Sequence, residues 1–339
     1  MTQIKHERST QDLVRAAVSG WLGTALEFMD FQLYSLGAAL VFHEIFFPEQ
    51  SAAMALILAM GTYGAGYIAR IIGAFVFGKM GDRIGRKKVL FITITMMGIC
   101  TTLIGVLPTY AQIGIFAPVL LVTLRIIQGL GAGAEISGAG SGLIQTFLAG
   151  YLVQTLLFNK SIPTDALMIS SVIGFITIPL LGWLSDKYGR RLPYIILNIS
   201  AIILAWPMLS IVVDKTYSPG VIMAALIVIH NFAVLGLFAL ENITMAEIFG
   251  SRNRFTRMAI SKEAGGLVAV GFGPVLAGIF CNMTDSWLPI LIMLVLYSCI
   301  GLISALLMPE VRDRDLSLPE DAAEATAAEK LRHSATQTS

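Results

Sequence analysis

Apolar residues in this chain gather into runs of about twenty, the length a helix needs to cross a hydrocarbon layer about 30 Å thick. Ten such segments can be read, at approximately 16–40, 54–77, 89–108, 115–137, 141–158, 165–184, 192–213, 219–241, 258–281 and 286–308. Lys and Arg fall almost entirely between them. If the N-terminus is inside, the basic residues lie in the leader, in stretches around 78–88 and 182–191, around Arg252, Arg254 and Arg257, and in the tail after Met308. The outer loops then carry only Lys160 and Lys215, which fits the rule that cytoplasmic loops hold the positive charge. The pattern predicts an all-α, polytopic membrane bundle with both termini cytoplasmic. Residues 1–15 form a polar leader with no cleavable signal, 16–140 a four-helix bundle, 141–309 a six-helix bundle, and 310–339 a solvated tail too poor in large apolar residues to build a core.

Composition agrees. The 339 residues are 56% hydrophobic and 13% charged, against roughly a quarter charged in soluble domains, and the mean hydropathy is +0.77. The bilayer is the implied surrounding, and a net charge of +1 gives no reason to expect a nucleic-acid partner. Cys100, Cys281 and Cys299 lie in or beside spans without CxxC spacing or a nearby His cluster, so they read as packing residues rather than disulfide or metal ligands. Gly129, Gly131 and Ala134 match a dinucleotide fingerprint, but no strand precedes them and no acid follows about twenty residues on. There is no HExxH, P-loop or G-x-S-x-G motif; no enzyme, cofactor or metal site is expected. Asn198, Asn242 and Asn282 head glycosylation-like triplets that carry no weight where the chain is in lipid.

A charge within lipid is costly, so each one asks for a partner or a wet cavity. In the first segment Glu27, Asp30 and Tyr34 lie at i, i+3 and i+7, on one helical face. In the fourth, Arg125, Gln128, Ala132 and Glu135 share a face, while Gly129 and Gly133 form a small-residue surface for close helix contact. At 1.5 Å per residue Asp30 lies about 21 Å from the cytoplasmic end of its helix and Arg125 about 15 Å from the outer end of its own, so the two can meet near mid-membrane. A carboxylate beside an arginine stays ionised and one stranded in an apolar cavity takes up a proton. Asp30 therefore reads either as a proton-coupling group or as half of a permanent ion pair. Glu27, Arg70 and Glu135 are further coupling candidates. His230 and Glu241, eleven residues apart on nearly the same face with Asn231 alongside, are candidates for a substrate cavity together with Tyr34 and Gln128, or else hydrogen-bonded packing residues.

One charged sentence is written twice: GKMGDRIGRKK at 78–88 and GWLSDKYGRR at 182–191. Each joins glycines, one acid and a cluster of bases at the ends of two spans. Gly78, Gly81, Asp82, Arg83, Gly85 and Arg86 in the first copy, and Asp186, Gly189 and Arg190 in the second, read as cytoplasmic loops that latch neighbouring helices, or simply as basic anchors.

These motifs resemble the major facilitator superfamily, and within it the metabolite:proton symporter group that includes permeases for shikimate, 2-oxoglutarate, citrate and proline or betaine. GWLGTALEFMDFQLY at 20–34 is similar to that group's first helix, YIARIIGAFVFGKMGDRIGRKK at 67–88 to its second helix and gating loop, RIIQGLGAGAE at 125–135 to its fourth, and MAEIFGSRNRFTRMA at 245–259 to the approach to its penultimate helix. The resemblance implies two six-helix bundles, a small-molecule substrate and a proton bound between them, alternating access, and a monomer. It implies coupling roles for Asp30 and Arg125 and an inner gate at Asp82 and Arg86. Ile71 and Gly250 stand where the group usually has proline.

The larger departure follows Gly140. SGLIQTFLAGYLVQTLLF comes directly after the fourth segment and is similar to the later part of the group's seventh helix. Asp82 and Asp186 are only 104 residues apart, room for about four spans. Two helices and the central loop are missing, leaving about ten spans, four plus six, instead of twelve. The expected function is proton-coupled symport of a small polar or anionic metabolite; the alternative is an inactive deletion derivative or a non-transporting membrane interaction protein.

Overall fold

The computed structural model describes residues 34, 37, 38, 40–84, 86–132, 142–250, 254–312, 314, 321 and 322. Among them the chain is helical throughout. In the N-terminal part a short helix α1 (Phe42–Phe46) leads into α2 (Ala52–Ile84), α3 (Arg86–Gly105), a single turn α4 (Tyr110–Ile113) and α5 (Phe116–Ala132). A π-helical stretch, Gly142–Leu148, then opens α6 (Ala149–Gln154), followed by α7 (Ser161–Tyr188) and α8 (Arg191–Val213). Next, α9 (Pro219–His230) runs through a π turn, Asn231–Leu235, into α10 (Gly236–Ile248). α11 (Arg254–Gly266) does the same through Leu267–Phe272 into α12 (Gly273–Thr284), and α13 (Leu288–Leu307) completes the bundle.

Among the described residues six stretches are long and apolar enough to cross a membrane: Met54–Gly81, Ser161–Tyr188, Arg191–Val213, Pro219–Ile248, Ala264–Thr284 and Leu288–Leu307. Phe91–Gly105, Phe116–Leu130 and Leu143–Gln154 are shorter apolar helices. The expected segments from residue 54 onward each fall on one of these; the first, 16–40, lies largely outside the described residues. The thr side chains on lipid-facing turns satisfy themselves locally, as in Thr95, Thr102 and Thr123, whose hydroxyls donate to the carbonyls of Phe91, Gly98 and Val119.

Lipid supplies little hydrophobic drive between helices, so close packing decides which ones touch. α2 is the central element: 59% of the residues in its spanning stretch are buried, against 17% in α7, which faces outward. On one side α2 meets α5 with almost no space between backbones. A β-carbon at Gly73 would overlap the Leu130 carbonyl oxygen, and one at Gly129 the Gly66 carbonyl oxygen. The small-residue surface expected around Gly129 is this seam; Gly133 lies outside the described residues. On the other side α2 runs antiparallel to the α11–α12 rod, with Gly78 against Thr256, Tyr67 against Gly266 and Gly271, Gly64 against Gly271, and Ile57 against Gly278. One apolar cluster runs from Tyr34, Phe46 and Met60 to Phe147, Leu152, Ile229 and Leu294, joining the N-terminal helices to the C-terminal ones. On the exposed surface Lys160 Nζ reaches Glu44 Oε1 at 3.1 Å across the same division.

The two repeated basic motifs are not loops. Gly78–Ile84 continues α2 and Arg86 already begins α3; Gly182–Tyr188 continues α7, and only Gly189 and Arg190 separate it from α8. The break in the second copy is made by Gly189, whose φ of +95° a side chain would strain.

Candidate functional site

Arg125 is buried in the interior with 4% of its surface exposed. One turn along α5, Gln128 accepts from its Nη1 at 2.6 Å, and the Gln128 amide donates to Thr101 Oγ1 of α3 at 2.8 Å. The face of the Tyr34 ring lies over the guanidinium, 3.8 Å from Cζ to the ring centroid. Tyr34 is itself oriented: its hydroxyl is 2.8 Å from Thr62 Oγ1, and because Thr62 donates to the Ala59 carbonyl at 2.7 Å, the phenol is the donor in that pair. Gly66 makes room, since a β-carbon there would lie 2.9 Å from Arg125 Nε. Four helical segments thus hold one permanent positive charge against an aromatic face, an arrangement that stabilises a desolvated cation by about 2 kcal/mol. Arg70 of α2 is also buried and lies 4.8 Å from the Tyr67 ring of its own helix.

A second polar cluster is built in the C-terminal helices. His230 closes α9, Asn231 opens the π turn, and both reach Ser170 of α7: Ser170 Oγ is 2.6 Å from His230 Nδ1, and Asn231 Nδ2 donates to the same oxygen at 2.7 Å. Asn231 Nδ2 also donates to the Ile227 carbonyl at 2.9 Å. A π turn, Asn231–Leu235, lies between His230 and Glu241, and Glu241 lies near enough to Tyr194 of α8 to act on it electrostatically.

The third cluster lies where α7 passes into α8, beside the ends of α10 and α13. Arg190 donates from Nε and Nη2 to the two oxygens of Glu247 at 2.8 and 2.7 Å, and from Nη1 to Ser185 at 2.7 Å and to Asp186. The hydrogen bond to Glu247 holds the guanidinium more firmly protonated than usual, against the opposing effect of burial. Glu310, from the segment after α13, seats its carboxylate beneath Gly189 and accepts the backbone N–H groups of Arg190, Arg191, Val311 and Arg312. Burial pushes this carboxyl up, but the four N–H bonds outweigh it and hold it below the usual carboxylate range. Arg314 Nη1 donates to the carbonyls of Glu247 and Ile248, and Asp321 receives Gly250 N–H at 2.9 Å and pairs with Arg257.

Of the residues expected from sequence, Tyr34, Arg125 and Gln128 come together, as do His230 and Asn231, and separately Asp186, Gly189 and Arg190. In the first gate motif Gly78 packs on Thr256, Gly81 is buried and Arg83 is exposed. Glu27, Asp30, Gly85 and Glu135 lie outside the described residues, as do the side chains of Asp82 and Arg86. Sequence reasoning missed Thr62, Thr101, Ser170, Glu247 and Glu310. Each is a polar residue within or at the edge of an apolar run, which was the available signal.

A polytopic helical bundle with a buried cation and a doubled basic motif defines a membrane transporter of the facilitator type, and comparison identifies the family. The Major Facilitator Superfamily model matches residues 20–141 and 134–336, and the chain belongs to that family of transporters. The Escherichia coli (strain K12) protein YdfJ is 61% identical over 412 positions, covering 87% of this chain and 96% of the relative. That alignment is longer than the 339 residues present here, so it includes a part of the relative with no counterpart in this chain. The shikimate transporter of the same organism is 50% identical over 125 residues, 37% of this chain and 28% of that protein. Among solved structures a D-xylose-proton symporter superposes with a TM-score of 0.54 at 15% identity, over 84% of this chain and 98% of that one, a likeness of fold.

Proposed function

We propose that this chain is a proton-coupled secondary transporter of a small polar or anionic metabolite, working by alternating access as a monomer in the inner membrane, with both termini cytoplasmic. The observation that carries this reading is the buried Arg125, held by Tyr34 and Gln128 where several helices meet. A fixed cation in that setting attracts either a substrate carboxylate or the carboxylate of Asp30, and exchange between the two couples a proton to the substrate. Asp30 is the titrating group, with Glu27, Arg70 and Glu135 as supporting charges and Tyr34, Gln128, His230 and Asn231 on the cavity. Asp82 and Arg86, with Asp186 and Arg190, form the inner gate.

The test is uptake into proteoliposomes carrying an imposed proton gradient, using radiolabelled shikimate, 2-oxoglutarate, proline and glycine betaine. Gradient-driven accumulation of one compound, abolished by Asp30→Asn in correctly inserted protein, supports the reading. Full gradient-driven uptake by that variant removes Asp30 from the mechanism.

A second reading, a derivative that inserts but does not transport, is favoured by the part of YdfJ that has no counterpart here. It predicts no uptake of any panel compound by the inserted chain, and recovery when two helices and a connecting loop are grafted after Gly140.

A further inference from the structure

The hydrogen-bond inventory of the Ser170 cluster leaves one assignment. Both amide hydrogens of Asn231 are used, one on Ser170 Oγ at 2.7 Å and one on the Ile227 carbonyl at 2.9 Å, so its Oδ1 is fixed as an acceptor. Ser170 accepts from Asn231 and has a single hydrogen to give, and its remaining contact among the described residues is His230 Nδ1 at 2.6 Å. The tautomer that uses the serine hydrogen leaves Nδ1 bare and puts the proton on Nε2.

The result is a neutral donor, His230 Nε2–H, and a neutral acceptor, Asn231 Oδ1, both without a hydrogen-bond partner among the described residues. His230 is fully buried, and both side chains converge on one serine oxygen, so their other ends lie in the same part of the bundle. A buried polar atom without a partner costs about 1–3 kcal/mol, and here a donor on the last residue of α9 and an acceptor on the first residue of a π turn are both left open, at a backbone irregularity frequent at functional sites.

We propose that Ser170, His230 and Asn231 form a recognition element for a hydroxyl group of the transported metabolite, with Ser170 as the residue that positions His230. This rests on the transport reading above and deepens it by naming a substrate class. A hydroxyl accepts from Nε2–H and donates to Oδ1, completing both groups at once. A carboxylate accepts only and would set its charge against Oδ1. A quaternary ammonium does neither. The element thus selects hydroxylated compounds over deoxygenated or betaine-like ones.

The experiment uses the full chain in lipid nanodiscs with nitrogen-15-labelled histidine; the chain has four histidines, and His230→Gln assigns the relevant signal. The probes are shikimate and its ring acid without hydroxyls, cyclohex-1-ene-1-carboxylate. Wild type should show the Nε2–H tautomer, a shift of that nitrogen on adding shikimate, and binding of shikimate roughly tenfold or more tighter than of the ring acid. Ser170→Ala should lose both the fixed tautomer and the preference, and Ser170→Thr, which keeps the hydroxyl, should retain them. If Ser170→Ala keeps the preference, or bound shikimate leaves the His230 nitrogens unmoved, the cluster is structural or holds only water, and the inference falls while the transport reading stands. If monodisperse wild type binds neither probe nor any other compound of the uptake panel, the transport reading falls and this inference with it.

Discussion

Arg190 and Glu247 meet through two parallel hydrogen bonds of 2.8 and 2.7 Å, although 57 residues separate them in the chain. Both side chains are largely withdrawn from solvent, 7% and 12% exposed, so the pair ties the α7–α8 junction to the end of α10 where water screens it little. Removing one partner of such a pair leaves a desolvated charge, at a cost of about 3 kcal/mol. Glu247→Gln is expected to lower the unfolding midpoint in detergent markedly. Asp186→Asn, whose carboxylate is 64% exposed, should change it little. Equal effects from both would show that the bidentate geometry contributes nothing special.

The stacking of Arg125 on Tyr34 predicts a split between two conservative changes. Tyr34→Phe keeps the ring over the guanidinium and loses the hydroxyl that bonds Thr62. Tyr34→Leu loses the ring, and with it an attraction of about 2 kcal/mol, near thirtyfold in an equilibrium constant. In the uptake assay, once a substrate is identified, the Leu variant should be the severely impaired one. Comparable activity of the two variants would put the phenol, not the ring, in control.

Close approach of α2 and α5 at Gly73 makes alanine unusually damaging there. A β-carbon would overlap the backbone of Leu130, which has no side-chain freedom with which to give way. Gly73→Ala should destabilise the protein by about 1–3 kcal/mol. Gly98→Ala on α3, where nothing lies within 4 Å of the added carbon, should be neutral or slightly stabilising because alanine favours helix. Thermal unfolding of the two purified variants decides between them.

Glu310 makes a pH prediction whose sign follows from its depressed folded-state pKa. Stability from its four N–H bonds is present above the ordinary value of 4.5 and is lost as pH falls below it toward the lower folded value. Hydrogen exchange at the Arg190 and Arg191 amides should therefore stay protected down to about pH 4.5 and then loosen. Loosening centred near pH 6 to 7 would assign the clasp to a histidine instead.

Periodicity made the helices legible, because apolar runs and their basic flanks are written into single residues. It also placed Arg125 and Gln128 on one face, since their spacing of three survives folding. It did not show the π turn between His230 and Glu241, because such a turn is a backbone event with no residue signature. It could not join Arg190 to Glu247 and Glu310, because those partners lie on three separate helix ends that only tertiary packing brings together. The repeated basic motif was read as a loop from its glycines, yet Gly78 and Gly81 sit inside α2, held there by the contact of Gly78 with Thr256.

The unbroken length of α2 has a mechanical consequence. Its 33 residues extend about 50 Å, some 20 Å more than the hydrocarbon core requires. Because its first turn follows directly on the polar residues Glu49, Gln50 and Ser51, most of that excess lies at its C-terminal end. Gly78 to Arg83 therefore ride on a stiff arm instead of a flexible tether. With the glycine seam to α5 as fulcrum, about 15–25 Å from Arg83, a ten-degree tilt would swing the tip by roughly 3–4 Å, without any change in its own hydrogen bonds.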